Sequence, residues 1–373
     1  MATIYLLATS DIVTDQRVHR SAQTLVEAGH SVCVLGRRLK STPIEFTRSY
    51  RVKLFNILFS KGVLFYLIFN LRAIGYLLFR RVDLIYANDL DTLLAGAVLS
   101  SVRQKKLIYD SHELYTELPE LVHRKLKRML WQLLERLMIP RVDAGITVSE
   151  SVATELKARY GKRFAVVRNV PISKVGKVAL HSNSNVIIYQ GALNIGRGLE
   201  KLVAAMQYVE NAELVIAGTG DIENHLIGLA TQLGLTSRVH FTGRLEADDL
   251  FAETTGATLG VSLEEEMGLN YRYALPNKLF DYIQAGIPVL VSDMPEMVKV
   301  VEDYNVGQTI ASNCSVRCLA SKLSQMLRDR TKLLEYKENT TKAAIDLSWE
   351  QESLLFLSIV SKVVPTKKNI KPI

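Results

Sequence analysis

Cysteine is scarce: Cys33, Cys314 and Cys318 are the three in 373 residues. Three cannot build a disulfide framework, and the odd count suits a reducing compartment. Long apolar runs are missing too. The most apolar stretch, Leu54 to Phe79, is broken by Lys61 and Arg72, which leaves ten uncharged residues from Gly62 to Leu71. A membrane-crossing helix needs about 20. The opening MATIYLLATSDIVTDQRVHR has no basic n-region, so no secretory signal is expected. The seven histidines and three cysteines show no metal-ligand spacing, and Cys314-x-x-x-Cys318 is more simply one helix face. No short repeat is visible, and the one biased tract is the basic tail from Pro365. The expectation is a cytoplasmic protein, soluble or held peripherally on the inner face of the plasma membrane, with no metal.

What is present reads as globular. Hydrophobic residues make up 48% and charged residues 23%, which excludes global disorder. The length suits two domains. The net charge of +8 is unevenly spread: residues 1–175 carry 27 Lys/Arg against 15 Asp/Glu, and residues 176–373 carry 19 against 23. A basic half and an acidic half point to different partners.

Apolar strand runs alternate with helical patterns along the front half. Strands are expected at 3–9, 31–37, 83–89, 106–112, 144–149 and 164–170, with helices at 11–28, 62–80, 92–102, 124–139 and 150–160. After a polar linker at 171–185 the alternation restarts. Strands are expected at 185–191, 212–218, 238–243, 257–263 and 288–293, and helices at 198–209, 221–233, 247–255, 277–285, 316–329 and 331–345. Continuous apolar strands with interleaved helices imply parallel sheets covered on both faces. The fold class expected is α/β, with two doubly wound, Rossmann-like domains. The amphipathic helix Trp349 to Val363 is expected to return to the first domain. Ligands of such domains bind at the carboxyl ends of the strands, here in a cleft between two domains.

Four constellations carry chemistry. In QGALNIGRGLEKLV (190–203) a strand runs into a glycine loop with Gly191 and Gly196, and Arg197 adds a fork for phosphate. IAGTGD (216–221) brings Gly218 and Gly220, and HFTGR (240–244) brings Phe241; each offers backbone groups to a nucleotide base or is merely a tight connection. The fourth is SLEEEMGLNYRYALPNKLFDYIQAGIPVLVSD, residues 262–293. A strand ends in acids, a loop follows, and Pro276 opens a helix with Lys278 in its first turn. Carboxylates there can hold sugar hydroxyls and the lysine can meet a phosphate. The plainer alternative is a solvated acidic loop before an amphipathic helix.

This last string resembles the donor motif of the family-4 glycosyltransferases of the GT-B fold. That motif runs Glu-Gly-Phe-Gly-Leu, then a second Glu eight residues after the first, then Ala-Gly-x-Pro-Val; this chain departs from it in a longer loop and in an Asp for the second Glu. Glu265, Gly268, Leu269, Ala285, Gly286, Pro288 and Val289 match it, and the second acid falls on Asp281, 16 residues after the first. The string Pro276-Asn277-Lys278-Leu279-Phe280-Asp281-Tyr282 is similar to one bacterial branch. At the front, Asp15-Gln16-Arg17-Val18 and Asp110-Ser111-His112-Glu113-Leu114-Tyr115 resemble that branch's acceptor side, and Trp349-Glu350 resembles the start of its crossover helix. The family's Arg-x-x-x-x-Lys pair is half present: Ala192 replaces the Arg, and Arg197 stands where Lys is usual.

The resemblance implies an acceptor domain at 1–172 plus 350–373 and a donor domain at 173–349 facing it across a cleft. It implies sugar transfer from a UDP- or GDP-sugar, with retention of configuration, to a saccharide or lipid-linked acceptor in bacterial surface polysaccharide or glycolipid synthesis. The nucleotide-sugar is a co-substrate, and no cofactor is implied. Arg197, Lys278 and the 196–199 backbone would hold the diphosphate, Glu265 the sugar hydroxyls and Asp281 the ribose. Gly191, Gly196, Gly218, Gly220, Phe241, Gly268 and Leu269 would complete the donor site. His112 would contact donor sugar or acceptor, with Asp15, Arg17 and Glu113 on the acceptor side; for His112 the alternative is a cap on a strand end. A nucleotide-sugar epimerase and a non-catalytic donor-binding partner of another transferase remain open. Asp89-Leu90-Asp91 has the Asp-x-Asp spacing of a metal site but reads better as a helix N-cap. Residues 61–81 and 123–141 form basic, apolar helices that either lie on an anionic leaflet or pack on the sheet with their charges solvated. Nucleic acid is not expected, because the basic residues do not interleave with stacking aromatics.

Overall fold

The computed structural model describes residues 1–39, 46–118, 121, 124–174 and 185–364. Residues 175–184 of the expected linker and the tail from Pro365 lie outside them. The chain forms two compact units: Met1–Asn169 together with the chain from Glu352 onward, and Val170–Gln351.

The first unit is a seven-stranded parallel sheet in the order β3-β2-β1-β4-β5-β6-β7. Its strands are β1 Thr3–Leu7, β2 Ser31–Arg37, β3 Arg51–Phe55, β4 Leu84–Asn88, β5 Lys106–Ser111, β6 Ala144–Thr147 and β7 Phe164–Val166. Ile4, Leu6, Val34, Leu84 and Ile108 are fully or almost fully buried, as a sheet covered on both faces requires. The order reverses between β1 and β4, which leaves a crevice at their carboxyl ends. Asp15 caps helix Gln16–Glu27 by accepting from the Val18 N–H at 3.0 Å. Strand β3 was not among the expected strands. Arg51 and Lys53 alternate outward on this sheet edge, so no continuous apolar run marks it.

Helix Lys125–Met138 departs from the usual plan. Its one buried residue is Glu135, while Leu126, Met129, Leu130, Leu133 and Leu137 are exposed. The apolar stripe at i, i+3, i+4, i+7 points away from the sheet. Helix Val63–Leu77 also exposes Val63, Leu64, Leu67 and Leu71. The two helices touch through Tyr66 and Trp131, whose rings meet edge-on at 5.4 Å.

The second unit holds a six-stranded parallel sheet in the order β10-β9-β8-β11-β12-β13. Its strands are β8 Val186–Gln190, β9 Glu213–Ala217, β10 Val239–Gly243, β11 Leu259–Ser262, β12 Val289–Ser292 and β13 Gly307–Ile310. Here the order reverses between β8 and β11. Leu199, Leu202 and Val203 pack on one side of the sheet, and Leu279, Phe280 and Ile283 on the other. Helix Pro295–Tyr304 and strand β13 add to the expected elements. Gly-Gln-Thr-Ile is too polar to read as a strand alone and is recruited by pairing with β12.

The final helix, Trp349–Val363, starts in the second unit and belongs to the first from Glu352. Glu352 pairs with Arg168 at 2.5 Å, and Phe356 meets the Tyr86 ring at 5.9 Å. Among the described residues no helix is long and apolar enough to cross a membrane.

Candidate active site

In the second unit the predicted donor residues gather at the β8/β11 reversal. Gly218 has φ +142°, and a Cβ there would stand 1.9 Å from the Gly191 carbonyl oxygen. Only glycine permits that approach. The Gly191 N–H donates to Ala217 O at 2.9 Å and the Gly218 N–H to Gly243 O at 2.8 Å. The loops after β8, β9 and β10 therefore stack backbone on backbone, with Gly220 beneath the Leu193 carbonyl. The Glu265 N–H donates to Gly196 O at 2.9 Å, which ties the loop after β8 to the loop after β11.

Two cations converge beside these loops. Lys278, in the first turn of helix Asn277–Gln284, places Nζ 3.0 Å from Glu264 Oε1 and 4.1 Å from the centre of the Tyr189 ring. Arg197 Nη1 lies 3.4 Å from the same oxygen. Ser262 donates to Glu264 Oε2 at 2.7 Å. Glu264 is fully buried. Burial alone would push its carboxyl up, but Lys278, Ser262 and Arg197 outweigh it and hold it below its ordinary value. The motif assigned the first acid to Glu265, yet Glu264 is the one that positions both cations. Nothing in the run of three glutamates singles out Glu264; it is told apart by burial, because Leu263 and Glu264 continue the buried segment of β11.

Glu265 is half-buried and stands 3.8 Å from Lys201. Asp281 accepts from Gln190 Nε2 at 3.0 Å, and Thr254 fixes that amide from its other end at 2.7 Å. Gly268 precedes the one-turn helix Leu269–Arg272. Tyr271 of that helix reaches Ile195 O at 3.4 Å and lies under Arg197. Phe241 is partly buried, with its ring packed against the core, which leaves the backbone of this segment as the part offered to a ligand.

The first unit carries a cavity of about 810 Å³ at the β1/β4 reversal. Thr9, Asn88, Asp89, Asp91 and His112, at or soon after the ends of β1, β4 and β5, line it. Asp15 and Glu113 also line it, as do Tyr66, Tyr115 and Trp131. Three of the four predicted acceptor residues thus share one cavity. Arg17 does not line it. Its guanidinium is buried, donates twice to Asp110 at 2.7 and 2.9 Å, and reaches Val167 O at 2.9 Å. With these donors committed, Arg17 acts on the cavity from behind, through Asp110.

His112 sits between two carboxylates. Nδ1 is 3.1 Å from Asp89 Oδ2, and Nε2 is 3.4 Å from Asp110 Oδ2. Burial lowers its affinity for a proton, but Asp89 and Asp110 reverse that and hold it well above the ordinary histidine value. Asp89 adopts φ +59°, an uncommon conformation for a side-chain-bearing residue. Its carboxylate also accepts from the His112 N–H at 2.9 Å. The N-cap reading of this segment is corrected here: Asp89 stands at the cap position of helix Leu90–Arg103, but its carboxylate caps nothing.

Asp91 was not among the predicted site residues. It is buried, and its Oδ2 accepts the Thr9 hydroxyl. Burial and Asp89 push its carboxyl up to about 7. Its Oδ1 and the Asn88 Oδ1 have no hydrogen-bond partner among the described residues. No group of three or more His, Cys, Asp or Glu among those residues is arranged to hold a metal.

Residues 15–170 match Glycosyltransferase Family 4, and residues 173–344 match Glycosyl transferases group 1. The chain belongs to the family-4 glycosyltransferases. A stretch of 130 residues is 29% identical to the uncharacterized glycosyltransferase MJ1607 of Methanocaldococcus jannaschii, covering 34% of this chain and 31% of that protein. The chain therefore spans under a third of that relative's length. Among solved structures, sucrose-phosphate synthase from Thermosynechococcus elongatus superposes with a TM-score of 0.80 at 18% identity, over 97% of this chain and 99% of that one. Anabaena HepE in complex with UDP-glucose gives 0.72 at 17%, over 97% and 100%. Both likenesses concern the fold, which is that of the GT-B glycosyltransferases.

Proposed function

We propose that this glycosyltransferase moves a sugar from a nucleotide-sugar to a saccharide or lipid-linked acceptor, with retention of configuration, in bacterial surface polysaccharide or glycolipid synthesis. The observation that carries it is the convergence of Arg197 and Lys278 beside the stacked glycine loops of the second unit. A departing nucleoside diphosphate needs cations and backbone N–H groups, and such electrostatic stabilisation is usually the largest catalytic term. Glu265, near Lys201, and Asp281, on Gln190, suit sugar and ribose hydroxyls. HepE's structures with UDP and with UDP-glucose support the choice of donor class.

In this reading the acceptor oxygen bonds to the anomeric carbon as the bond from that carbon to the phosphate oxygen breaks. The departing phosphate oxygen takes the acceptor's proton. This reading does not use His112 as the base: Asp89 and Asp110 raise its affinity for a proton, which disfavours the free lone pair a base needs. Arg197 and Lys278 supply the positive charge that a metal gives elsewhere, so EDTA should leave the rate unchanged.

We also place the enzyme on an anionic inner leaflet. The exposed apolar stripes of helices Val63–Leu77 and Lys125–Met138 favour this over helices packed inward, and Arg124, Lys125 and Lys127 stand beside them exposed.

Thermal shift with UDP-, GDP- and ADP-sugars tests the donor. A ligand at 100 times its Kd stabilises by about 2.7 kcal/mol. One nucleotide class should raise Tm, and Lys278→Ala should weaken that donor at least tenfold while circular dichroism stays native. Unchanged donor affinity and rate in Lys278→Ala would sink the assignment. Product analysis without acceptor separates an epimerase, and slow release of free sugar argues against a purely binding protein.

A further inference from the structure

Behind the donor residues of the second unit runs a chain of three polar side chains. The Thr254 hydroxyl donates to Gln190 Oε1 at 2.7 Å, and Gln190 Nε2 donates to Asp281 Oδ2 at 3.0 Å. Gln190 and Thr254 are buried, whereas Asp281 is only partly so. A buried amide and hydroxyl add little net stability when paired, and an apolar pair of the same shape would do nearly as well. Stability of the fold therefore does not account for them. The chain leads outward instead, to an acid at the donor site.

The helix that carries this acid is held by other means. The Gln190 backbone N–H donates to the Tyr282 hydroxyl at 3.0 Å, and that hydroxyl donates to Val261 O at 3.1 Å. A Cβ at Gly260 would stand 2.4 Å from the Tyr282 ring, so the ring rests directly on the backbone of β11. Leu279, Phe280 and Ile283 of the same helix are in the core. Helix Asn277–Gln284 is thus fixed on β8 and β11 without the Gln190 side chain. That side chain is left to serve the carboxylate next to Tyr282.

The amide has two unlike ends, a donor and an acceptor. Thr254 has one hydroxyl proton, which serves Gln190 Oε1 and, at 2.6 Å, Leu250 O. With Oε1 turned to Thr254, the donor end faces Asp281. Turned over, the amide would set two acceptors against each other with no proton between them. The observed orientation holds one carboxylate oxygen and stops the group from rotating. A fixed carboxylate meets a vicinal diol in one plane, while a turning one loses rotamer freedom each time it binds.

We infer that Gln190 and Thr254 are positioning residues, which fix the Asp281 carboxylate for the two hydroxyls of a ribose. The inference rests on the reading of Asp281 as the acid that holds the ribose. A site built to hydrogen-bond a hydroxyl rejects the analogue that lacks it. The Thr254–Gln190 pair therefore sets how well the donor site tells ribose from deoxyribose.

Calorimetry on the full chain tests it with UDP, GDP and ADP, each against its 2′-deoxy form. The wild type should prefer one ribonucleotide over its deoxy form by tenfold or more, and Asp281→Ala should cut that preference to threefold or less. Gln190→Met, similar in length and without a hydrogen-bonding amide, should cut it likewise. Thr254→Val should do the same, and it supplies the test if Gln190→Met does not fold. Thr254→Ser keeps the hydroxyl and should keep the preference. Circular dichroism identifies the variants that stay native. A merely structural role would weaken both forms alike and leave their ratio untouched. A wild-type ratio in native Gln190→Met or Thr254→Val overturns the inference. If Asp281→Ala alone loses the preference, the ribose assignment stands and only the positioning role falls. A wild type that binds none of the three, or binds one without preferring ribose, sinks the ribose assignment and the inference with it.

Discussion

At the scale of single residues, the chain's acids divide into those the motifs reveal and those only packing reveals. Glu265 and Asp281 were nominated because they stand in a string that shares the family's motif residues, although 16 rather than 8 residues separate them. Glu264 was not, since three consecutive glutamates look alike until burial separates them. Asp91 hid for a similar reason: an aspartate in the first turn of a helix is ordinarily there for the helix's own N-terminus. Its environment makes a specific demand on stability. Asp89, His112, Arg37 and Thr9 are the groups that act on it, and burial dominates. A carboxyl with a folded pKa of about 7 binds more protons in the folded than in the unfolded state between about pH 4 and pH 7. Stability from this site is therefore lost as pH rises through that window. Asp91→Asn removes the titrating group and keeps the Thr9 contact. The Tm of Asp91→Asn relative to wild type should rise from pH 5 to pH 8, as measured by calorimetry. A constant difference across that range would contradict the raised pKa.

Elements were read well where apolar periodicity matched burial, and poorly where it did not. The central strands β1, β4, β5, β8 and β9 are continuous apolar runs, so both sheets were legible. Strands β3 and β13 lie at sheet edges, where pairing recruits a polar segment that periodicity passes over. Helix Lys125–Met138 is the instructive case. Its amphipathic pattern is plain in sequence, but pattern alone does not say which face turns inward. The apolar face turns outward: Leu126 is 84% exposed and Leu133 52%. Meanwhile Glu135 is buried on the Tyr160 hydroxyl. Burial pushes the Glu135 carboxyl up to about 7, against the pull of Tyr160 and Arg159. Leu130→Asp with Leu133→Asp should therefore lower Tm by no more than about 4 °C, since two exposed substitutions at about 0.5 kcal/mol each shift a unit of this size by about 2–4 °C. The same pair should abolish flotation with anionic vesicles. A large fall in Tm would mean that the stripe is packed after all.

For the whole molecule, the charge imbalance sharpens when it is assigned by unit. The first unit, with the chain from Glu352 onward, holds 30 Lys/Arg against 16 Asp/Glu, a net +14. The second holds 16 against 22, a net −6. The sequence's midpoint split understated the contrast, because the basic end of the chain counts with the first unit. An anionic donor is thus proposed for the acidic unit, where Lys278 is buried and Arg197 half-buried on Glu264. The leaflet is proposed for the basic unit, whose Lys61, Arg124 and Lys127 are exposed. Salt should tell the two apart. Raising ionic strength from about 0.1 M to about 1 M shortens the Debye length from about 10 Å to about 3 Å. Exposed charges lose most of their reach in that range, while buried ones are screened much less. Vesicle flotation should accordingly fall by tenfold or more over this range, and nucleotide-sugar affinity by no more than about threefold. Equal losses would mean that Arg197 and Lys278 meet the donor through solvent, and that the second unit does not hold its phosphates in a sheltered site.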